Sequence, residues 1–533
     1  MIQGVVDAAT LKRMLHDGGE IALLDVREEG VFAKGHLFLA APVPLSQLEI
    51  RVPVLVPRRS TRIVVMDGGE GLAERAAAAL VRYGHGDVSV LEGGLEAWVD
   101  AGYEVYTGVN VPSKAFGEYV ELHDETPRME AADVKARVDR GDDMVILDSR
   151  PLAEYRKVSI PGAIDCPGAE LAYRVHDLVK SDSTLVVVNC GGRTRSIIGA
   201  QSLRNAGIPN RVVALKNGTM GWHLAGFPVD NGKDWAAPPP TEAGLRKARE
   251  AAQRVARRFG IRFLDAAGLD AFRREADTRT VYLLDVRSPE EYASRHLRGS
   301  VSAPGGQLVQ TTDTYVAVRN ARLVLVDDHG VRATMTASWL MQMGWDEVYV
   351  LRDALQYGEW VAEPPAAEVL GLDDIRCERI SPRALAALSI EGASILDLDS
   401  KPRYRDGHIP GAWHGIRANL ARNLARLPAG DCIVVTSADS VLATLAAPEI
   451  AAITGGDVRV LEGGTQAWRA AGHPMEEGET RLTDDTDDVW VKVHDRTENR
   501  DQAMKDYLNW EVDLMTQIGR DDDAGFRRYP TAE

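Results

Sequence analysis

One cysteine of the chain stands in a setting suited to nucleophilic chemistry. Cys190 closes the apolar run LVVVNC (residues 185–190) and opens CGGRTRS (190–196), which leads into a helical stretch starting near Ile197. A thiol at the carboxyl end of a strand in an open α/β sheet lies where ligands bind. Gly191 and Gly192 are expected to let the backbone curl so that successive N–H groups face inward as an anion nest. The N-terminus of the following helix adds partial positive charge, and Arg193 and Arg195 add two full charges. Together these predict a thiol pKa lowered from about 8.5 into the range of roughly 3.5–7.5 seen for activated cysteines. A thiolate in a cationic cup suits attack on an anionic, sulfur-bearing substrate. The plainer reading, a buried structural cysteine, leaves the two glycines, two arginines and strand-to-helix turn unexplained. A cysteine phosphatase or arsenate reductase shares the logic, but its loop needs five residues between Cys and Arg to ring a tetrahedral oxyanion. Cys190 and Arg195 enclose four, which favours sulfur over phosphate.

The elements that position this loop recur four times. Apolar runs ending in Asp are LLDVRE (23–28), ILDSRP (146–151), LLDVRS (283–288) and ILDLDS (395–400). A turn follows each, such as Gly407-His408-Ile409-Pro410-Gly411-Ala412, and then a second apolar run: RIVVMD (62–67), LVVVNC, LVLVDD (323–328) and CIVVTS (432–437). The closing pieces are VLEGGLEAW (90–98), ALKNGTMGW (214–222), VLEGGTQAW (460–468) and the worn VLRDALQYGEW (350–360). Short apolar runs alternating with helical patterns predict βαβ units on a mostly parallel sheet. Spacings of more than a hundred residues describe whole domains rather than solenoid units. The expected organisation is an α/β domain at 1–108, a second carrying Cys190 at 125–232, and a Pro-rich, basic helical linker at 233–260 with a solvated face. A third domain follows at 261–365 and a fourth at 378–476. The tail, 477–533, begins acidic and then turns helical around residues 501–515, where Tyr507, Leu508, Trp510 and Leu514 could dock on a neighbouring domain.

On these motifs the chain resembles the rhodanese (thiosulfate sulfurtransferase) superfamily over nearly all of residues 1–476. The carriers are the LLDVR-type strand, the GHIPGA-type turn, the strand-end cysteine loop and the LEGGxxAW-type closing motif. The resemblance implies four tandem rhodanese-like domains, each a mostly parallel five-stranded sheet flanked by helices. It implies that Cys190 takes sulfane sulfur from thiosulfate as a persulfide and passes it to cyanide or a thiol, by covalent ping-pong catalysis. Gly191, Gly192, Arg193, Thr194, Arg195 and Ser196 would bind the persulfide and its anionic donor. The loop resembles the family's CxxGxRS form, with Arg193 where the family usually has its second glycine. Arg150 resembles the substrate-binding arginine of two-domain rhodaneses, and an ion pair with Glu154 is the alternative. By the same resemblance the first domain would wall the active site. Asp67, Asp328 and Ser437 stand at the nucleophile position of the other repeats, and none can carry a sulfane sulfur as a thiolate does. Removing residues 366–533 is then expected to leave turnover largely intact. The rival from another class is a persulfide carrier or scaffold that delivers sulfur to a protein partner.

Composition narrows the rest. The chain has 533 residues, 45% of them hydrophobic and 26% charged, with 62 basic against 79 acidic residues and a net charge of −17. That balance argues against nucleic-acid or anionic-membrane partners. No apolar run reaches the roughly 18 residues needed to span a bilayer. The first residues, MIQGVVDAATLKRML, lack a signal-peptide core, so a cytoplasmic location is expected. Four cysteines, without a CxxC pair, make neither a disulfide framework nor a zinc site, and no cofactor or metal is implied. Cys166 is read as a small buried residue, with a resolving role as the alternative. Cys377 and Cys432 are read as structural. His36, His296 and His408 occupy equivalent turns in the three repeats without the nucleophile thiol and are read as fold elements.

Overall fold

The computed structural model describes residues 4–357, 359–363, 368–388, 392–496 and 498–530. The expected end of the third domain at residue 365 lies outside them.

Four α/β sheets share one strand order, 1-5-4-2-3. In the second repeat it is carried by β1 (Arg128–Met129), β2 (Met144–Asp148), β3 (Ile164–Asp165), β4 (Leu185–Asn189) and β5 (Val212–Leu215), all parallel. β4 lies in the middle, and Val186, Val187 and Val188 are wholly buried. A parallel strand covered on both faces needs apolar side chains on both, which is why the sequence reads as an unbroken valine run. In the pairing register Asp148 stands beside Asn189, whose side-chain N–H donates to the Asp148 carboxylate at 2.9 Å. Two strand ends are thereby tied together where the chain order reverses, the place where such sheets bind ligands.

The chain divides into two compact units. One comprises 1–12, 23–109 and 367–491, and so holds repeats one and four. Within it Arg417 is buried against Glu49 at 2.6 Å and Glu449 at 2.5 Å. The other comprises 13–22, 110–366 and 492–533, and holds repeats two and three with the last part of the tail. Its helices include α1 (Val111–Asp124), α2 (Leu171–Leu178), α3 (Thr194–Asn205), α4 (Gly218–Leu224), α5 (Glu242–Phe259), α6 (Val331–Gln342) and α7 (Arg500–Ile518).

One connecting segment differs from expectation. The linker's helix, α5, is not a solvated spacer. Its Ala248, Ala251, Ala252, Val255 and Phe259 form a buried stripe at helical spacing, packed against α2 of repeat two and α6 of repeat three. Arg332 of α6, also fully buried, joins the same two repeats through Glu170 at 2.8 Å, Glu291 at 2.6 Å and Asp328 at 2.7 Å. The join between the first two repeats is helical too. α1 begins at Val111-Pro112, buries Val111, Ala115, Phe116 and Val120, and packs along α3; proline at the first turn fits a helix start.

The histidine turns behave as fold elements. His36 stacks on Phe32 at 3.9 Å, His296 on Tyr292 at 4.1 Å and His408 on Tyr404 at 3.7 Å. Among the described residues, no helix is long and apolar enough to cross a membrane.

Candidate active site

Cys190 follows β4 directly and is 2% exposed. Its loop is held from behind by α4. The Cys190 carbonyl accepts from the Thr219 N–H at 2.8 Å and the Thr219 hydroxyl at 3.0 Å, and the Gly191 carbonyl accepts from the Met220 N–H at 3.0 Å. That approach depends on Gly218, where φ is +54° and a Cβ would stand 2.3 Å from the Cys190 carbonyl oxygen. The same amide contact, Leu95 to Asp67 and Thr465 to Ser437, recurs in repeats one and four. The closing motif and the cysteine loop are thus one device, and the motif's second glycine is the space between them.

The empty-handed repeats reveal what the loop accommodates. In repeat one the Asp67 carboxylate accepts the N–H groups of Gly69 at 2.8 Å, Leu72 at 2.7 Å and Ala73 at 3.1 Å. In repeat three the residue that follows the central strand is Asp327, not the expected Asp328, and it accepts from His329 at 2.9 Å, Ala333 at 3.0 Å and Gly330. Pairing register explains the correction: Val326 is the last strand residue, as Asn189 is in repeat two. Ser437 accepts from Ala443 at 3.3 Å. Counted from the strand end, the donors correspond to Gly192, Arg193, Arg195 and Ser196 around Cys190, with the Ser196 position donating in all three. Amides of this loop surround an anion wherever a carboxylate is present.

Several side chains differ from expectation. Gly191 and Gly192 are absent from the left-handed region, so conformational freedom is not their role; they make room. A Cβ on Gly191 would lie 3.2 Å from the His494 ring nitrogen, and one on Gly192 3.2 Å from the Glu511 carboxylate. Arg193 faces α1 rather than an open cup. It donates to Glu118 at 2.6 and 2.5 Å, to Glu121 at 2.5 Å and to Asn217 at 3.2 Å. Burial opposes its charge, and the carboxylates outweigh that and hold it protonated.

Arg150 is neither the open donor-binding group nor the Glu154 partner that the alternative offered. It is fully buried, donating to both oxygens of Asp148 at 2.9 and 2.7 Å and to the Val158 carbonyl at 2.6 Å. Arg27 with Asp25 and Arg287 with Asp285 repeat that geometry in loops without a thiol, which marks it as a fold element.

Arg195 is the loop arginine left for an anion. Its partners are Glu154 at 2.7 Å and Gln307 of repeat three at 3.3 Å. Burial works against its charge, while Glu154 and the nearby Cys190 raise its pKa. Thr194 donates to Glu511 at 3.1 Å, and the Ser196 hydroxyl closes the turn on the Arg193 carbonyl at 2.8 Å. Cys166 is wholly buried, with its thiol pKa pushed well up by burial and then by Glu170, a setting that does not favour a resolving thiolate.

Within its own unit the loop is covered by the last part of the tail. α7 buries Met504, Leu508, Glu511 and Leu514 and packs on α1. Lys492 reaches Glu154 at 3.1 Å, and with Arg195 it holds that carboxylate well below the usual range against the effect of burial. Glu118, His494 and Glu511 were not anticipated. One signal was available: Glu511 interrupts an apolar stripe of Met504, Leu508 and Leu514 at helical spacing. Among the described residues the fold also gathers one cluster of metal-ligand type that sequence spacing hid, His16 with Asp522 and Asp523; the imidazole is hydrogen-bonded directly to Asp523 at 2.7 Å.

Known proteins carry the same pattern. The rhodanese-like domain model matches residues 7–101, 130–225, 269–361 and 381–471. A crystal structure of a thiosulfate sulfurtransferase from Pseudomonas aeruginosa is 47% identical, with a TM-score of 0.93 over 99% of this chain and 100% of that one. The thiosulfate sulfurtransferase GlpE of Pseudomonas fluorescens is 30% identical over 99 residues, 19% of this chain and 90% of that protein. A sulfurtransferase of Allochromatium vinosum is 28% identical over 100 residues, 19% of this chain and 92% of that protein. Four sheets of one strand order, four matched segments and a relative alike from end to end place this chain in the rhodanese family.

Proposed function

We propose that the chain is a thiosulfate sulfurtransferase working through a Cys190 persulfide. The observation that carries the reading is the nest: Cys190 places a thiol where Asp67 and Asp327 place a carboxylate among the loop amides. The Cys190 thiolate attacks the outer sulfur of thiosulfate, the S–S bond of the donor breaks, and its electron pair leaves with sulfite. The persulfide left on Sγ carries negative charge, and the amides of Gly192, Arg195 and Ser196 stabilise it as the amides at the equivalent positions of repeats one and three do the carboxylates there. Arg195, charged and within electrostatic reach of Cys190, holds the donor; Arg193 braces the loop against α1. A thiophilic acceptor, cyanide or a thiol, then takes the outer sulfur.

Burial of Cys190 beneath the tail supports a small acceptor over delivery to a protein. The test is intact mass after brief exposure to thiosulfate, on wild type and on Cys190→Ser. One added sulfur in wild type, absent from the variant and removed by cyanide, is expected. Wild type that gains none overturns the proposal.

A further inference from the structure

The tail brings to the cysteine loop a carboxylate for which the donor half-reaction has no use. Glu511 is wholly buried. Its Oε1 accepts from the Thr194 hydroxyl at 3.1 Å and the Tyr507 hydroxyl at 3.1 Å, and pairs with Lys114 Nζ at 3.2 Å. Its Oε2 has no hydrogen-bond partner among the described residues. That oxygen faces the loop, 3.2 Å from where a Cβ on Gly192 would stand. A buried carboxylate oxygen without a donor is costly, and native structures keep such groups for a reason.

The Lys114 pair accounts for the charge of Glu511 but leaves Oε2 without a donor among the described residues. Thiosulfate is a dianion, and a negative group beside its nest can only weaken binding. Neither thiolate attack on thiosulfate nor departure of sulfite moves a proton. The second half-reaction differs when the acceptor arrives as a neutral thiol, because its S–H must give up a proton as sulfur bonds to sulfur.

We propose that Glu511 is a further catalytic residue, the general base that takes the proton of an incoming thiol acceptor; this rests on the Cys190 persulfide reading. Oε2 receives the proton while the acceptor sulfur attacks the outer sulfur of the persulfide. The bond from that sulfur to Cys190 Sγ breaks, and its electron pair returns to Cys190 as a thiolate. The acceptor leaves as a persulfide anion, and the proton on Glu511 follows it out. Thr194, Tyr507 and Lys114 hold Oε1, which fixes the carboxylate with Oε2 toward the loop. Thr194 is in this reading a positioning residue.

The experiment compares two acceptors on full-length protein already carrying one sulfur. At about pH 7.5, below a thiol pKa of about 8.5, cysteamine brings a proton to remove, whereas the sulfite dianion brings none. In Glu511→Gln the ratio of unloading rates, thiol over sulfite, is expected to fall about 100-fold, the lower end of what a general base contributes. Glu511→Asp, which keeps a carboxylate one methylene back, is expected to recover part of the ratio. An unchanged ratio overturns the inference even if both rates drop, because a badly packed helix would slow both alike. Failure of the persulfide reading is separately visible, since wild type would then gain no sulfur before any acceptor is added. Should the variants not fold, the wild-type pH profile decides. A general base keeps thiol unloading nearly level below the thiol pKa of about 8.5; a tenfold fall per pH unit, following thiolate alone, overturns the assignment.

Discussion

Arg193 and Arg195 stand two residues apart on one loop and meet opposite fates. The backbone turns into α3 between them, so one guanidinium meets Glu118 and Glu121 of α1 while the other stays on the cysteine side. Arg195→Gln is therefore expected to raise the KM for thiosulfate about tenfold to a hundredfold, the size of one charge-assisted hydrogen bond of about 1.5–3 kcal/mol. Steady-state kinetics at saturating acceptor would measure it, and a KM within twofold of wild type would remove Arg195 from donor binding. Arg193 was legible as a cation beside a thiol but not as a brace, because its partners lie more than seventy residues earlier. Arg150 shows the opposite case. Its role could be read from repetition, since the same Asp-x-Arg spacing stands in repeats one and three, and the same bonds form there.

At the scale of elements the deciding piece is α7. Its Met504, Leu508 and Leu514 are buried, each contributing about 1.5–3 kcal/mol relative to exposure, enough to hold a nineteen-residue helix against the loop. Tail removal is then a test of the active site and not of an appendage. Ending the chain after residue 491 is expected to reduce thiosulfate turnover at least tenfold, through lost desolvation and lost Glu511, with repeats two and three still folded by circular dichroism. Turnover equal to wild type would mean that the tail only rests on the site. This reverses the expectation that the residues beyond 366 are dispensable. The helix itself was visible in the sequence as an apolar stripe. Its destination was not, because a stripe says that a face is buried without naming the surface that buries it.

Across the whole molecule, buried ionisable groups give stability a pH dependence of predictable sign. Burial raises Glu28 to about 8. Burial and then the neighbouring Asp148 raise Asp165 to about 8, and burial raises Asp397 to about 7. Carboxyls whose folded pKa lies above the unfolded value of about 4 favour the folded state at low pH, and that contribution is lost as pH rises toward the folded pKa. Burial lowers His36, His85 and His494 to about 4, so these groups add stability as pH rises from about 4 to about 6.5. Above about 6.5 the histidines are neutral in both states and only the carboxyls still titrate. The thermal midpoint is expected to fall between about pH 6.5 and 8.5, and Asp165→Asn to flatten that fall. A midpoint that climbs over this window, or an equal slope in the variant, would contradict the assignment.

The sequence by itself determined four α/β domains of mostly parallel sheet and one thiol loop. Strand and helix periodicity, turn glycines and the residue after each central strand are local properties of the backbone, and they are written wherever they act. Only the tertiary structure decided that repeats two and three share a compact unit, that α5 is a wedge, and that Glu511 meets Thr194 across 317 residues of chain. Such contacts depend on which complementary surfaces pack, and no short-range pattern encodes the partner. The nucleophile was therefore legible from its own neighbours in the sequence, while the carboxylate over it required the folded chain.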